Sequence, residues 1–417
     1  MEIKREKYLK ALINRMHNGM IKVITGIRRC GKSYLLFKIF KNYLKEIHIP
    51  DDHIIEIALD ERKNKRYRNP DVLLDYVENK ITDSTLYYLL LDEVQLLDEF
   101  EEVLNSLLHI SNLDIYVTGS NSKFLSKDII TEFRGRGDEI HVFPLTFKEY
   151  MQSYNGDTYH GFADYIMYGG LPLILSMKTE EQKVEYLTRL FEETYIKDIR
   201  ERNRIDKVQE LNDLINVLAS AVGSLTNPSK IEATFKSKLR SDISINTIRQ
   251  YIVFLQDAFV IHEAQRFDVK GRKYIGSPLK YYFEDVGLRN ARLGFRQHEE
   301  THLMENILYN ELRARGFSVD VGVVPIRKTV NSGDRERIQL EIDFIATLGS
   351  RKYYIQSAFS LPDEEKIKQE KAPLLNVGDS FKKIIIVHDM MNIRRDDAGI
   401  TTMNIYDFLL NEHSLDL

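Results

Sequence analysis

The sequence predicts an α/β protein with a parallel-sheet domain first, a mostly helical middle, and a second α/β region at the C-terminus. Three observations predict it. Short apolar runs at 21–25, 54–59, 86–91, 114–118 and 139–143 alternate with helical patterns at 34–45, 72–80, 100–109 and 123–133. Apolar strands separated by helices make a parallel sheet covered on both faces. From 147 to about 225 the pattern turns helical, interrupted mainly by Tyr-Gly-Gly-Leu-Pro at 168–172. A helix at 301–315 then precedes strand-like runs at 319–324, 339–347, 352–358 and 383–388, a return to mixed α/β.

Taken in order, residues 5–18 alternate apolar and charged positions at helical spacing and stop at Asn18-Gly19. We expect one α/β domain over 1–145 and a helical linker or lid region over 146–228, closed by the turn Asn227-Pro228. Residues 229–295 form the next segment, with helical patterns at 229–239 and 245–256 and strand-like runs at 259–267 and 280–284. Residues 296–417 form the last domain. No internal repeat or low-complexity tract interrupts this order, and the charged run 61–69 reads as a solvated loop.

Composition narrows the function classes. The chain has 417 residues, 43% hydrophobic and 29% charged, the balance of a soluble globular protein of two or three domains at about 150 residues each. The 59 basic residues against 63 acidic ones give a net charge of −4, so any nucleic-acid binding must use a local patch. A single cysteine, Cys30, cannot form an internal disulfide. The N-terminus lacks the apolar stretch of a signal peptide, and no run approaches the roughly 20 apolar residues of a membrane span. The expectation is a cytoplasmic protein with no membrane partner.

Residues 26–33 read GIRRCGKS, the pattern G-x-x-x-x-G-K-S, with a strand before it and a helix after it. Gly26 and Gly31 permit backbone angles closed to other residues, so the N–H groups of Ile27, Arg28, Arg29, Cys30 and the following turn through Tyr34 can curl around an anion. The helix N-terminus adds its dipole. Lys32 would reach the β and γ phosphates of ATP, and the Ser33 hydroxyl would ligate Mg²⁺. An ordinary glycine-containing turn is the bland alternative. The strand–loop–helix context makes this a P-loop NTPase sheet.

Residues 87–93 read YYLLLDE, a buried strand delivering two acids beside the loop. Asp92 can hold the metal through water while Glu93 polarises the attacking water. The strand at 54–59 sits between the loop and this acidic strand, and a catalytic Glu after Asp fits the P-loop branch that inserts a strand there. After 114–118 comes Gly119-Ser120-Asn121, where Asn121, or secondarily Ser120, can sense the γ-phosphate or cap a turn. Arg134 and Arg136 flank Gly135 at a helix end. Arg136 is preferred as an arginine finger across a subunit interface, against the simpler role of a cation meeting a helix dipole.

The segments VITGIRRCGKSYLL, LLLDEVQ, VTGSNS and FRGRGDEIHVFPLTFKEY make residues 20–150 resemble the AAA-type ATPase module of many bacterial and archaeal proteins. YGGLP, TIRQYIVFLQDAFVI, KYYFEDVGLRNA and EIDFIA resemble the C-terminal region usually fused to it, whose activity is not established. The resemblance implies a nucleotide-driven switch. Gly-Leu-Pro at 170–172 is similar to the adenine-side motif of NACHT-type and disease-resistance ATPases, which would bring Pro172 near the base, although a plain loop turn reads almost as well.

Residues 229–284 look like a winged helix-turn-helix. Thr247, Arg249 and Gln250 would face a major groove, with Lys270, Arg272 and Lys273 on the wing. A structural module that packs on the ATPase is the alternative. The final domain looks like the restriction-endonuclease-like fold, with Glu305 and Asp343 in acidic positions, Gln356 where a further acid belongs and Ala358 at the lysine position. An amide binds Mg²⁺ more weakly than a carboxylate and alanine carries no charge, so this nuclease site reads as degenerate, with the fold kept for binding, and solvated or salt-bridged acids at Glu305 and Asp343 are the bland alternative. The functional expectation is an ATP-hydrolysing switch that couples nucleotide state to DNA. A signalling ATPase acting on protein partners is the alternative, and an ATP-gated nuclease the third.

Overall fold

The computed structural model describes residues 3–119, 135–297, 299–329 and 335–417. The expected helix at 123–133, together with Ser120, Asn121 and Arg134, lies outside them. The chain divides into two compact units. The first holds Met1–Leu145 with Leu171–Leu173 and Asp257–Phe259, and the second holds Thr146–Gly170, Ile174–Gln256 and Val260–Leu417.

In the first unit, β1 (Ile21–Thr25), β2 (Ile54–Ala58), β3 (Tyr87–Asp92), β4 (Leu113–Thr118) and β5 (Gly137–His141) form one sheet in the order β2-β3-β4-β1-β5. Every pairing is parallel. All residues of β1, β3 and β4 are buried, as strands covered on both faces must be. On one face Leu73 and Val77 of the helix Pro70–Lys80 and Val103, Leu104 and Leu107 of the helix Phe100–Leu107 pack onto Leu89, Leu91, Ile115 and Val117. The strand interposed between the loop strand β1 and the acidic strand β3 is β4. The run at 54–59, which sequence order places between them, lies at the sheet edge as β2. Chain order cannot give spatial order, because right-handed crossovers let a later strand enter the middle of a sheet. The N-terminal helix is also shorter than expected, Glu6–Ile13, with turns carrying the chain to β1.

The second unit opens with helices, among them Thr158–Tyr168, Glu180–Leu190, Val208–Ser220 and Ile245–Asp257. It continues into an eight-stranded mixed sheet. Its strands are β6 (Ile261–Asp268), β7 (Lys273–Phe283), β8 (Ser318–Thr329), β9 (Arg335–Leu348), β10 (Arg351–Ala358), β11 (Lys382–Val387), β12 (Arg394–Arg395) and β13 (Ile400–Asn404), in the order β12-β13-β11-β10-β9-β8-β6-β7. The hairpin β6–β7 joins β8 through the parallel pairs Arg266↔Val321 to Asp268↔Val323. The boundary expected at 295/296 therefore runs through one continuous sheet. The Ile-Thr-Thr-Met-Asn run of β13 is fully buried yet has no alternating or uniformly apolar pattern, which is why its strand was not expected.

Candidate functional site

The site of the first unit grows from the end of β1. Gly26 has φ +138°, and a Cβ there would lie 2.2 Å from the carbonyl oxygen of Val142, so only glycine lets the loop leave the strand. Gly31 has φ +101° and caps the helical run 32–46. Arg29 takes φ +66°, a left-handed angle that costs a non-glycine residue about 1–3 kcal/mol. Ile27 and Cys30 are buried, with the Cys30 thiol donating to the Val142 carbonyl at 3.2 Å, whereas Arg28 is half-buried and Arg29, Ser33 and Tyr34 are exposed. The loop is thus fastened from beneath, with polar groups turned outward.

Lys32 is 4% exposed, and its ammonium donates to the carbonyls of Gly26 at 2.9 Å and Ile27 at 3.0 Å. Among the described residues no carboxylate pairs with it. Ser33 donates its hydroxyl to Asp92 at 3.0 Å, tying the loop to the tip of β3. Asp92 also accepts from the hydroxyl of Thr118, at the end of the neighbouring strand β4. Burial pushes the Asp92 carboxyl up, against the Thr118 and Ser33 hydroxyls that hold it down. Such a carboxylate gains from an added cation.

Glu93 follows in a left-handed conformation, φ +54°, with its N–H donating to the Thr118 hydroxyl oxygen at 3.0 Å and its carboxylate accepting from the Gln95 amide. Thr118 therefore ties both acids to β4. Sequence reasoning missed it. The sequence singles out Ser120 and Asn121, two and three residues later, and a threonine ending an apolar run becomes a signal only once the sheet order sets β4 beside β3. Pro172 belongs to this unit, and its Cγ lies 3.8 Å from where a Gly31 Cβ would stand. Arg136 is exposed just before β5, and its carbonyl accepts from the Ile21 N–H at 2.8 Å.

In the second unit, Arg249 and Gln250 are exposed on the helix Ile245–Asp257 and Thr247 is half-buried, its N–H held by the Ser244 hydroxyl at 3.1 Å. Arg272 and Lys273 are exposed where β6 turns into β7, and Lys270 there donates to the Pro325 carbonyl at 3.0 Å. Glu305 and Asp343 are brought together, but around Lys280 of β7. This ammonium lies 2.8 Å from Glu305, 2.8 Å from Glu341 and 3.7 Å from Asp343. Gln356 turns its amide oxygen to the Asp343 N–H at 3.4 Å, and Ala358 packs in an apolar cluster with Ile342, Ile345 and Tyr354. Lys280 gave no sequence signal, since it lies 63 residues from Asp343 in a run that reads as an ordinary strand.

A family profile described as an AAA domain matches residues 18–151, and a second, a domain of unknown function, matches 159–299. An uncharacterized protein of Haemophilus influenzae is 33% identical over 98% of this chain and 98% of its own length. An uncharacterized protein of Methanocaldococcus jannaschii is 29% identical over 89% of this chain and 80% of its own length. Among solved structures, the Aeropyrum pernix ORC1 protein in complex with DNA matches at 11% identity and a TM-score of 0.27, over 70% of this chain and 92% of that one. Cdc6p from Pyrobaculum aerophilum matches at 12% and 0.30, over 73% and 94%. Likeness at that level says nothing about what this chain binds. The chain belongs to the family of the Haemophilus influenzae protein and carries an AAA domain at its N-terminus. Among the described residues no helix is long and apolar enough to cross a membrane.

Proposed function

We propose that this chain binds ATP with magnesium on the loop 26–33 and hydrolyses it with Glu93 as the group that orients water. The observation that carries the reading is the hydrogen-bonded path Ser33–Asp92–Thr118–Glu93, which ties the loop to both acids. The residues present fit the ligand. The loop is closed by a glycine that nothing else can replace, an ammonium crosses its mouth, and a hydroxyl and a buried carboxylate meet beside it. Mg²⁺, held by Ser33 and Asp92, would neutralise charge between the terminal phosphates. Lys32 binds the phosphate oxygens in place of the Gly26 and Ile27 carbonyls. Glu93 accepts the proton of the attacking water, and its left-handed backbone, fixed by Thr118, aims the carboxylate. Pro172, beside Gly31, bounds the nucleotide, and the exposed Arg136 reaches a second copy of the chain.

The test is nucleotide binding by calorimetry and phosphate release by the full chain. Lys32→Ala should weaken ATP affinity about 100-fold, the loss of one or two hydrogen bonds to a charged group at about 1.5–3 kcal/mol each. Unchanged affinity would remove the phosphate role. A specific activity independent of protein concentration would remove the Arg136 contact.

The same reading couples nucleotide state to duplex DNA through a winged-helix arrangement of the helix Ile245–Asp257 and the β6–β7 turn. It is supported by the exposed Arg249, Gln250, Arg272 and Lys273, a polar helix face and a basic turn within one unit. Binding that weakens steeply with salt and stimulates phosphate release supports it. A duplex that fails to bind at low salt leaves a protein partner as the target.

A further inference from the structure

The acid cluster of the second unit has the residue types of a metal site, but one oxygen of Glu305, one of Glu341 and both of Asp343 already face a donor. Glu305 accepts from Lys280 at 2.8 Å and, on the same oxygen, from the Tyr282 hydroxyl at 2.6 Å. Asp343 has one oxygen held by the Ser357 N–H at 2.8 Å while the other faces the Lys280 ammonium at 3.7 Å. Glu341, the most exposed of the three acids, meets the same ammonium at 2.8 Å. Lys280 itself is 3% exposed, so its charge cannot be shared with water. A buried ammonium with three donors faces three carboxylates and supplies from within the protein part of the positive charge that a metal ion would bring.

We propose that Lys280 is the resident cation of this cluster, occupying the place of a divalent metal and closing the site to one. The geometry gives the reason. A second cation among these oxygens would stand within a few ångströms of the ammonium, inside a low-dielectric interior where like charges repel strongly. The lysine also comes from β7, outside the segment where an acid-x-lysine pattern would place it, while the position at 358 is an alanine sealed in an apolar cluster. One of the three carboxylate charges is thus balanced from within. Burial and the Glu305 charge push the Asp343 carboxyl up to about 8, against Lys280.

The test uses manganese as the probe. Mn²⁺ binding to the nucleotide-free full chain is followed by electron paramagnetic resonance for the wild type, Asp343→Asn and Lys280→Met. Wild type and Asp343→Asn should bind alike, because no ion enters this cluster in either. Lys280→Met keeps the aliphatic stem and removes the charge, and should gain at least a tenfold tighter Mn²⁺ site. Wild-type binding that Asp343→Asn abolishes overturns the proposal, as does a folded Lys280→Met that binds no more Mn²⁺ than wild type. If Lys280→Met does not fold, the comparison of wild type with Asp343→Asn decides alone.

Discussion

Both units bury a lysine at their carboxylate-bearing site, and they use it in opposite ways. Lys32 donates to two backbone carbonyls, while the acids of its unit are held by hydroxyls and by an amide. Lys280 donates directly to carboxylates. In the first arrangement positive and negative charge are kept apart, so both remain available to an outside partner that carries both signs, such as a magnesium triphosphate. In the second the ammonium is taken up by carboxylates inside the protein. The same residue types therefore make the proposed binding site in one place and an internal ion network in the other. The difference lies in which groups serve as the lysine's acceptors.

The comparison can be broken at several points. The largest effect should come from Lys280→Met, which leaves buried carboxylates uncompensated and should cost about 3–5 kcal/mol of stability at neutral pH in a denaturant titration. A loss below about 1 kcal/mol would show that the network is not closed. Next, Glu93→Gln should lower phosphate release by about 100- to 1000-fold with ATP affinity retained, as for the loss of a base in proton transfer. Unchanged turnover would assign the base elsewhere. Thr118→Val removes the hydroxyl shared by the two acids and should reduce turnover roughly tenfold, for a buried hydrogen bond of about 1–2 kcal/mol. Thr118→Ser should restore it, and a silent valine variant would make the hydroxyl a bystander.

The smallest effect is a slope with pH. The folded-state pKa of Asp343, about 8, lies above its ordinary value of 3.8. The folded chain then holds a proton between about pH 4 and 8 that the unfolded chain has lost. The contribution is fully present at the acid end of that window and is drained as pH rises, by no more than about 1.4 kcal/mol per unit. Stability measured from pH 5 to 8 should fall less steeply in Asp343→Asn than in wild type. Equal slopes would mean that Asp343 is already ionised beside Lys280.

Local pattern carried the first unit a long way. The strand Ile21–Thr25 begins and ends where its mainly apolar run does, and β3 and β4 differ from expectation by one residue, because a strand buried on both faces is mostly apolar, with Lys22 of β1 and Asp114 of β4 buried as an ion pair. The loop was readable for a different reason. Gly26, Gly31, Lys32 and Ser33 act at fixed spacing on one short stretch of backbone, so the motif and the geometry are nearly the same thing. The acids Asp92 and Glu93 were readable because a parallel strand must deliver its end to the loop side of the sheet.

What the sequence determined by itself was local: the periodicities, the glycine-containing loop 26–33, and the acid pair at a strand end. Tertiary structure alone decided that β4 enters the sheet between β1 and β3, that Thr118 bonds both acids, and that Lys280 fills the second acid cluster. Those outcomes depend on groups brought together from distant parts of the chain. A side chain's partners across a sheet are set by pairing order and register, which no window of neighbouring residues encodes.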